Sequence, residues 1–294
     1  MNYLLYNPKA NNSRNDINII DKSTGEHRLE KVSLLTIDMP SFLAGLTEND
    51  KIYICGGDGT LNKFANNTYG FEFPCPVYLI GGGTGNDFMH DIGAITGKPV
   101  DIREYLKDLP VVIISGRETR FINGIGYGVD GVVCEEADKI KERSDKKINY
   151  TAIAINLILH KFKRPCAKVT YNGQTKVFKD MWIASAMKGR YYGGGMMVAP
   201  TQDRKSGLIT ASMFHGGTRL KTLAVLPKIY SGRHIEHKDM VEFDTVEEMT
   251  VEFDRPCALQ IDGDTVSGVL SYTVRTAKKH EEYVNAHMSA SLEV

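Results

Sequence analysis

The chain has 294 residues, and its 36 basic and 36 acidic side chains give a formal net charge of zero. A neutral chain has no global field that attracts nucleic acid, so we expect no nucleic-acid partner. Its length is enough for two domains with cores of their own. The five cysteines are scattered without metal-ligand spacing, which indicates free thiols in a reducing, cytoplasmic compartment.

The sequence contains no apolar run near the roughly 20 residues that span a bilayer. The N-terminus enters a strand pattern directly, without a basic and apolar leader, so we expect no secretion. Any contact with a membrane would therefore be that of a cytoplasmic protein that is peripheral at the inner membrane surface.

The first part of the chain alternates strand and helix patterns, which is typical of a three-layer α/β domain. Apolar runs predict the strands, and the segments behind two glycine loops predict helices. The predicted strands are 2–6, 31–37, 51–55, 76–80 and 111–115, and the predicted helices are 60–68 and 85–92.

The most informative segment is 56–62, Gly-Gly-Asp-Gly-Thr-Leu-Asn, which follows an apolar run and precedes a predicted helix. Glycines bring several N–H groups close to an anion, and the helix adds its partly positive N-terminus. Asp58 conflicts with a polyphosphate there, because like charges ~4 Å apart repel by roughly 1–4 kcal/mol. We therefore expect a cation, Mg²⁺, between Asp58 and the phosphates. An ordinary Gly-Asp-Gly turn is the alternative.

Two further turns follow apolar runs in the same way. Residues 81–88 read Gly-Gly-Gly-Thr-Gly-Asn-Asp-Phe, and the first strand pattern ends in the turn-forming pair Asn7-Pro8. The carboxyl ends of parallel strands meet at one edge of a sheet, which is where open α/β sheets bind ligands. The sequence therefore predicts one phosphate-binding site built from three loops.

The chain changes character after about Asn123. Short apolar runs separated by Gly, Asn and Asp turns predict an antiparallel β-sandwich, interrupted by helical segments at 132–160 and 218–231. The apolar stretch 148–159 has basic residues on both sides. It either meets anionic lipid or packs on the sandwich with a solvated charged face.

These motifs resemble the diacylglycerol kinase catalytic family, which includes bacterial lipid kinases and sphingosine kinases. The matching pieces are 7–9, 56–62, 83–88, 123–128, 192–195 with Pro200, and 262–264. The resemblance implies an N-terminal three-layer α/β nucleotide-binding domain and a C-terminal antiparallel β-sandwich, as in NAD kinases and diacylglycerol kinases. It implies that the first domain is 1–124 joined by 273–294, and that 125–272 form the lipid or substrate domain.

The resemblance also implies a nucleotide pocket. Thr60 and the amides of the first glycine loop would hold the phosphates of ATP, and Asp58 would hold the catalytic Mg²⁺. For Thr36, an exposed strand residue is an equal alternative. The implied nucleotide-binding residues are Asn7, Pro8, Lys9, Asn11, Thr36, Gly56, Gly57, Asp58, Gly59, Thr60, Leu61, Asn62, Gly83, Thr84 and Asn86.

Phosphoryl transfer often uses a base for the acceptor hydroxyl, and Asp262 and Asp264 are the candidates. On a strand, positions i and i+2 face the same way, and two close carboxylates push one pKa upward, which suits a base. The family has Asp-Gly-Glu here, so Asp264 is one methylene shorter than the usual Glu, and we favour Asp262. The alternative is an Asp-Gly hairpin turn.

Residues 199–208 resemble the family's structural-metal loop, with Asp203, Ser206 and Leu208 as the implied ligands. The family carries Asp-Gly-Leu where this chain has Ser206-Gly207-Leu208. A hydroxyl is a weaker Mg²⁺ ligand than a carboxylate, so we predict a weak or absent second metal site. Lys188 stands where the family has Asn, and it either contacts a lipid phosphate or is solvated.

Three other patterns carry less weight. Residues 126–131 fit a dinucleotide glycine pattern but lack a surrounding βαβ unit. Ser185 and Lys188 have a β-lactamase-type spacing without the partner motifs of that family. His234 and His237 lack further metal ligands at suitable spacing and predict a solvated turn.

The resemblance implies an ATP-dependent lipid kinase with Mg²⁺ as cofactor, which transfers the γ-phosphate to a lipid hydroxyl. The expected substrate is diacylglycerol and the expected product is phosphatidic acid. One alternative is a soluble-substrate enzyme of the NAD-kinase type, because the glycine loop is shared. Another is a nucleotide- or lipid-binding protein with impaired catalysis, because Lys188, Ser206 and Asp264 depart from the family pattern. A homodimer is left open.

Overall fold

The computed structural model describes residues 1–8, 29–82, 86–95, 97–143 and 148–292. The chain divides into two compact units, Met1–Leu109 with Gly193–Gly195, and Pro110–Tyr192 with Met196–Val294. The domain limits implied by the resemblance, 1–124 with 273–294 and 125–272, stay a prediction. Four expected site residues lie outside the described residues: Lys9, Asn11, Gly83 and Thr84.

The first unit is built on a five-stranded sheet. Its strands are β1 (Asn2–Tyr6), β2 (Glu30–Ser33), β3 (Lys51–Gly56), β4 (Val77–Gly81) and β5 (Val100–Asp101). In the order β2-β1-β3-β4-β5, the first four are parallel and β5 pairs antiparallel with β4. Five consecutive residues of β3 are buried, because both faces of the sheet are covered.

The helices of this unit follow the ends of the strands. They are α1 (Met39–Ala44), α2 (Asp58–Asn67), α3 (Asp87–Asp91) and a 3₁₀ turn at Arg103–Tyr105. One face of α2 is buried and carries Thr60, Leu61, Phe64 and Ala65, which is the spacing of an amphipathic helix. The alternation of strands and helices confirms the predicted α/β class.

The second unit is an antiparallel β structure. Its strands are β6 (Val111–Ile114), β7 (Arg117–Arg120), β8 (Gly124–Gly128), β9 (Ala167–Tyr171), β10 (Gln174–Phe178), β11 (Met181–Met187), β12 (Tyr191–Tyr192), β13 (Met196–Met197), β14 (Ile209–His215), β15 (Val241–Val246), β16 (Glu248–Ile261) and β17 (Asp264–Arg275). The main sheet has the order β15-β14-β11-β8-β16-β17-β6-β7, and β9 joins β16 to β10. By sequence, the predicted strand 111–115 fits both the α/β pattern and the short runs of the sandwich. It lies in this sheet, because β6 pairs antiparallel with β17 and β7.

Helices interrupt this sheet at the two predicted places. They are α4 (Val129–Arg143), α5 (Tyr150–Asn156) running into a π-helix at Leu157–Lys161, and α6 (Arg219–Val225) followed by 3₁₀ turns at Leu226–Ser231 and Arg233–Glu236. A last helix, α7, spans Ala277–Leu292. None of the helices within the described ranges is both long and apolar enough to cross a bilayer.

The glycine pattern 126–131 has a packing role. A Cβ on Gly128 would lie 2.3 Å from the carbonyl oxygen of Trp182, and one on Gly131 would lie 2.1 Å from that of Ala258. These glycines therefore allow β8 and α4 to approach neighbouring backbone closely. Both partners of β8, β11 and β16, are antiparallel to it, so this is not a βαβ dinucleotide unit.

Candidate active site

The carboxyl ends of four parallel strands form one edge of the first unit. Tyr6 at the end of β1 is in register with Ser33 and Cys55, and Gly56 is in register with Gly81. The residues that follow these strand ends therefore lie along one edge of the sheet. They are Asn7 and Pro8 after β1, Thr36 after β2, Gly57–Thr60 after β3, and Gly82 and Asn86 after β4.

The first glycine loop is shaped by the start of α2. A Cβ on Gly56 would lie 2.5 Å from the hydroxyl oxygen of Thr60, so Thr60 packs where Gly56 has no side chain. Thr60 is only 5% exposed and Leu61 only 1%, so both support the loop from the core. Gly59 differs, because a Cβ there would meet no atom of the described residues within 4 Å outside its chain neighbours and its own helix backbone. Within the described part of the chain, the open side of the loop is therefore at Gly59.

Asp58 joins the two glycine loops. Its Oδ2 accepts a hydrogen bond from the backbone N–H of Asp87 at 3.1 Å, and its Oδ1 accepts one from Phe88 at 3.0 Å. These two donors open α3, and their N–H groups have no acceptor within that helix. The backbone of the second loop therefore supplies Asp58 with a partner of its own. Asp58 as an Mg²⁺ ligand stays a prediction.

Asp87 is a second carboxylate at this edge of the sheet. It lies in the second glycine loop motif, but the sequence alone assigned it no role. It is buried, and its oxygens accept N–H groups from Gly194 at 2.8 Å and Gly195 at 2.6 Å, in the segment that belongs to the first unit. Burial raises the pKa of Asp87; the two N–H groups oppose that shift and the nearby charge of Asp58 adds to it. The site therefore holds two neighbouring carboxylates.

The remaining predicted residues of the edge have local roles. Asn86 begins α3 with a φ of 48°, in the left-handed region that asparagine tolerates. Asn62 lies one turn into α2, where its side-chain oxygen accepts the amide of Asn66 at 3.2 Å. Thr36 is exposed in the turn after β2.

Asp262 and Gly263 form the two-residue turn between β16 and β17, because Ile261 pairs with Asp264. Their φ values of 47° and 93° lie in the left-handed region, as a type I′ hairpin requires. The expectation that residues 262 and 264 face the same way along one strand is therefore wrong. The Asp-Gly hairpin alternative is confirmed.

The carboxylate of Asp262 is held by three backbone donors. Oδ1 accepts the N–H of Asn123 at 2.9 Å and of Gly124 at 3.0 Å, and Oδ2 accepts the N–H of Ile122 at 2.6 Å. Asp264, in contrast, is exposed at the start of β17. The carboxylate of Asp262 is therefore occupied by backbone hydrogen bonds, whereas that of Asp264 is accessible to a ligand.

Asp130 is a second carboxyl group near this hairpin. It bonds the hydroxyl of Tyr192, and its Oδ2 accepts the amide of Gln260 at 3.3 Å, while Gln260 Oε1 accepts the N–H of Gly263 at 2.8 Å. Burial raises the pKa of Asp130. Sequence reasoning missed this residue because it lies inside the discounted pattern 126–131.

The loop 199–208 is closed by its own hydrogen bonds. The hydroxyl of Ser206 donates to the carbonyl of Asp203 at 2.8 Å and accepts the N–H of Leu208 at 3.2 Å. The described residues contain no group of three His, Cys, Asp or Glu side chains placed to hold a metal ion. A buried guanidinium lies in this loop, since Arg204 donates to the carbonyl of Ile122 and, at 2.9 Å, to the side chain of Asn123. The strength of a second metal site here stays a prediction.

Two of the weaker sequence patterns are also buried. Lys188 is 5% exposed, so the solvated alternative for this residue is wrong. His234 is 1% exposed and one ring nitrogen faces the carbonyl of Val198 at 3.1 Å. Burial lowers the pKa of His234, so the predicted solvated turn is wrong there as well.

An α/β unit with glycine loops at its carboxyl edge, followed by an antiparallel β-sandwich, defines the fold class of NAD kinases and diacylglycerol kinases. Residues 2–111 match the family model of the diacylglycerol kinase catalytic domain, and residues 123–278 match that of the YegS C-terminal NAD kinase beta sandwich-like domain. The chain belongs to the diacylglycerol kinase family of lipid kinases.

Curated relatives agree with this assignment. A diacylglycerol kinase from Mycobacterium tuberculosis is 25% identical over 73% of this chain and 70% of its own length. A probable lipid kinase, YegS-like, from Shewanella frigidimarina is 24% identical over 89% of this chain and 86% of its own length.

Solved structures share the fold. A crystal structure described as a diacylglycerol kinase from Bacillus anthracis covers 93% of both chains with a TM-score of 0.59 at 16% identity. Another solved chain from that organism reaches 0.66 at 18% identity, over 94% of this chain and 93% of its own.

Proposed function

We propose that the protein is an ATP-dependent lipid kinase that transfers the γ-phosphate of ATP to the hydroxyl of diacylglycerol, giving phosphatidic acid. The observation that carries this proposal is the pair of neighbouring carboxylates, Asp58 and Asp87, beside the open first turn of α2. The choice of lipid follows the M. tuberculosis relative, which is named diacylglycerol kinase.

The first turn of α2 supplies donors for the phosphates. The N–H groups of Asp58 and Gly59 lie in that turn, where they have no intrahelical acceptor, and the helix dipole favours an anion there. The missing side chain of Gly59 leaves room for a phosphate to approach. Asn7 and Thr36, at the ends of β1 and β2, would border the rest of the nucleotide.

Asp58 and Asp87 are the residues that would hold Mg²⁺, because carboxylate oxygens are the ligands that this ion prefers. Bound Mg²⁺ would supply charge neutralisation for the phosphates during transfer. The N–H groups that each carboxylate accepts fix its position. Neither aspartate therefore needs to reorganise when the nucleotide binds.

Asp264 is the base that we propose for the lipid hydroxyl, in place of Asp262. Three N–H groups hold Asp262, whereas the exposed carboxylate of Asp264 can take a proton from an acceptor. Asp130 is the second candidate, because burial raises its pKa, and a carboxylate with a raised pKa takes up a proton more readily.

A lipid panel tests the proposal. The purified protein is incubated with ATP, Mg²⁺ and mixed micelles of diacylglycerol, a sphingoid base or phosphatidylglycerol. We expect ADP release that depends on diacylglycerol, with label from γ-³²P-ATP in phosphatidic acid. ADP release that is the same with every lipid and without lipid would contradict the proposal.

The base is tested by replacing Asp264 with Asn. We expect turnover to fall by about 100-fold, within the usual contribution of a general base, while urea unfolding stays unchanged. Asp108→Asn, an exposed aspartate of the first unit, is the matched control and should keep full turnover. If Asp130→Asn loses turnover and Asp264→Asn does not, the base is Asp130.

A soluble substrate is the second candidate, because the matched sandwich model is described as NAD kinase-like. Formation of NADP from NAD and ATP would support it. Tight nucleotide binding in calorimetry, with no turnover of any lipid or of NAD, would instead identify a binding protein with impaired catalysis.

A further inference from the structure

Helix α5 is apolar yet none of its residues is fully buried. It contains no charged side chain, and Tyr150 and Ile155 are 45% and 40% exposed. The π-helix that follows it buries Leu157 and Ile158 in the core. The segment is therefore anchored at one end and presents apolar groups to its surroundings at the other.

Basic residues surround this segment. Positions 139–164 contain eight Lys and Arg residues against two acidic residues, whereas the whole chain is neutral. Lys139 and Lys141 pair with acidic residues of their own helix. Within the described parts of the chain, Lys161 and Lys163 are exposed and have no carboxylate at ion-pair distance. Their charge is available to a partner.

A groove of about 460 Å³ adjoins the same segment. The apolar residues Val132, Leu157 and Phe162 line it together with Lys161 and Lys163. Two acidic residues, Glu135 and Glu136, also line it, and Lys139 pairs with both. Hydrocarbon next to the exposed side chains of Lys161 and Lys163 suits an anionic amphiphile.

We propose that α5, the π-helix and the adjoining groove form the surface by which this protein docks on an anionic lipid bilayer. Ile155 and Tyr150 would enter the interface between headgroups and acyl chains, and Lys161 and Lys163 would contact lipid phosphates. The inference rests on the proposed function only in taking lipid as the partner, because docking itself needs no turnover.

The pattern fits a bilayer better than an acidic protein. Lysine is depleted in the buried centres of protein interfaces, where Arg and aromatic residues dominate. Lysine clusters beside exposed apolar helices are instead typical of interfacial helices on anionic membranes.

Vesicle sedimentation tests the surface without any nucleotide. The protein is mixed with vesicles of phosphatidylcholine alone or with added phosphatidylglycerol, at low and high salt. We expect binding to the anionic vesicles that weakens as salt rises. The variant Lys161→Gln/Lys163→Gln should bind them about 30-fold more weakly, at about fivefold for each lost cation near the surface.

The apolar part is tested by Ile155→Gln, which should weaken binding about tenfold by removing the inserted side chain. Tyr150→Ser is a second variant of the same surface, in case Ile155→Gln lowers the melting temperature. The matched controls are Val177→Gln, an exposed apolar residue of β10, and Lys107→Gln/Lys179→Gln, two exposed lysines elsewhere. Both controls should bind as the wild type does.

Equal binding to neutral and anionic vesicles, no binding to either, or equal losses in the control variants would overturn the docking surface. No vesicle binding is also the result expected if an acidic protein is the true partner. Anionic vesicle binding that depends on Ile155 and Lys161, in a protein that phosphorylates no lipid, would refute the proposed function and leave the docking surface standing.

Discussion

Asp58 and Asp262 are both aspartates of glycine turns, one in each unit, and both accept N–H groups from distant backbone. Asp58 receives two, from residues 29 and 30 positions away, and Asp262 receives three, from 138 to 140 positions away. Asp58 stands beside a second carboxylate and an open helix turn, whereas Asp262 closes a hairpin. Similar turns thus contribute to a candidate ligand-binding site in the first unit and to structural hydrogen bonds between backbone segments in the second.

The largest expected effect is on catalysis at Asp58. Asp58→Ala removes the acceptor of both second-loop N–H groups and one proposed Mg²⁺ ligand. We expect lipid-dependent ADP release to fall by about 1,000-fold, which corresponds to about 4 kcal/mol of transition-state stabilisation. Initial rates at saturating ATP and lipid measure it. A rate within tenfold of the wild type would show that Asp58, like Asp262, has a structural role and does not contribute to catalysis.

The next effect is on stability at Asp262. Asp262→Ala leaves three backbone N–H groups without their acceptor, and we expect the free energy of unfolding to drop by about 3 kcal/mol. Urea unfolding measures this loss. Asp264→Ala, at the exposed neighbouring position, should change stability by less than about 0.5 kcal/mol. If both variants lost the same free energy of unfolding, the conclusion that Asp262 is structural and Asp264 is not would be wrong.

Gly59→Ala separates ligand binding from stability within the first loop. Among the residues that the structure describes, no atom outside the backbone of α2 and the chain neighbours lies within 4 Å of the added Cβ. Ala stabilises a helix relative to Gly by about 0.5–1 kcal/mol. We therefore expect a more stable protein whose KM for ATP rises about tenfold, because the methyl group obstructs the phosphates. Gly45→Ala, after α1, should leave the KM unchanged. An unchanged KM in Gly59→Ala would show that the nucleotide does not approach α2 there.

The smallest effect is the pH dependence of Asp130. Its pKa is raised in the folded protein by burial, so ionisation costs stability above that pKa and costs nothing once the carboxyl is protonated. The stability of the wild type relative to Asp130→Asn should therefore increase as pH falls through the raised pKa towards the ordinary value of 3.8. Urea unfolding of both proteins across this range measures the difference. A difference that shrinks on acidification would contradict the raised pKa.

Much of the first unit could be predicted from sequence. The apolar runs before the Asn-Pro turn and the two glycine loops locate β1, β3 and β4 to within one residue, because such turn residues end a buried strand sharply. The run at 111–114 was correctly predicted as a strand, but the sequence left open which of the two sheets it joins. An apolar run specifies a buried strand, and its partner depends on residues far away in the chain.

The roles of the site carboxylates were harder to predict. The Asp-Gly pair at 262 and 263 carried a hairpin signal, but the strand geometry of i and i+2 was favoured over it. Asp87 had no local signal, because its two donors, Gly194 and Gly195, are 107 and 108 residues away. Local sequence patterns therefore predict turns well, but they do not predict hydrogen bonds between residues that are far apart in the sequence.

The three glycines at 193–195 have a consequence for dissection of the chain. They belong to the first unit although the residues on either side of them belong to the second. A fragment that stops at Leu109 would deprive the buried Asp87 of both of its amide donors. The first unit therefore cannot be excised by one cut without loss, since the polypeptide returns to complete it some 80 residues later.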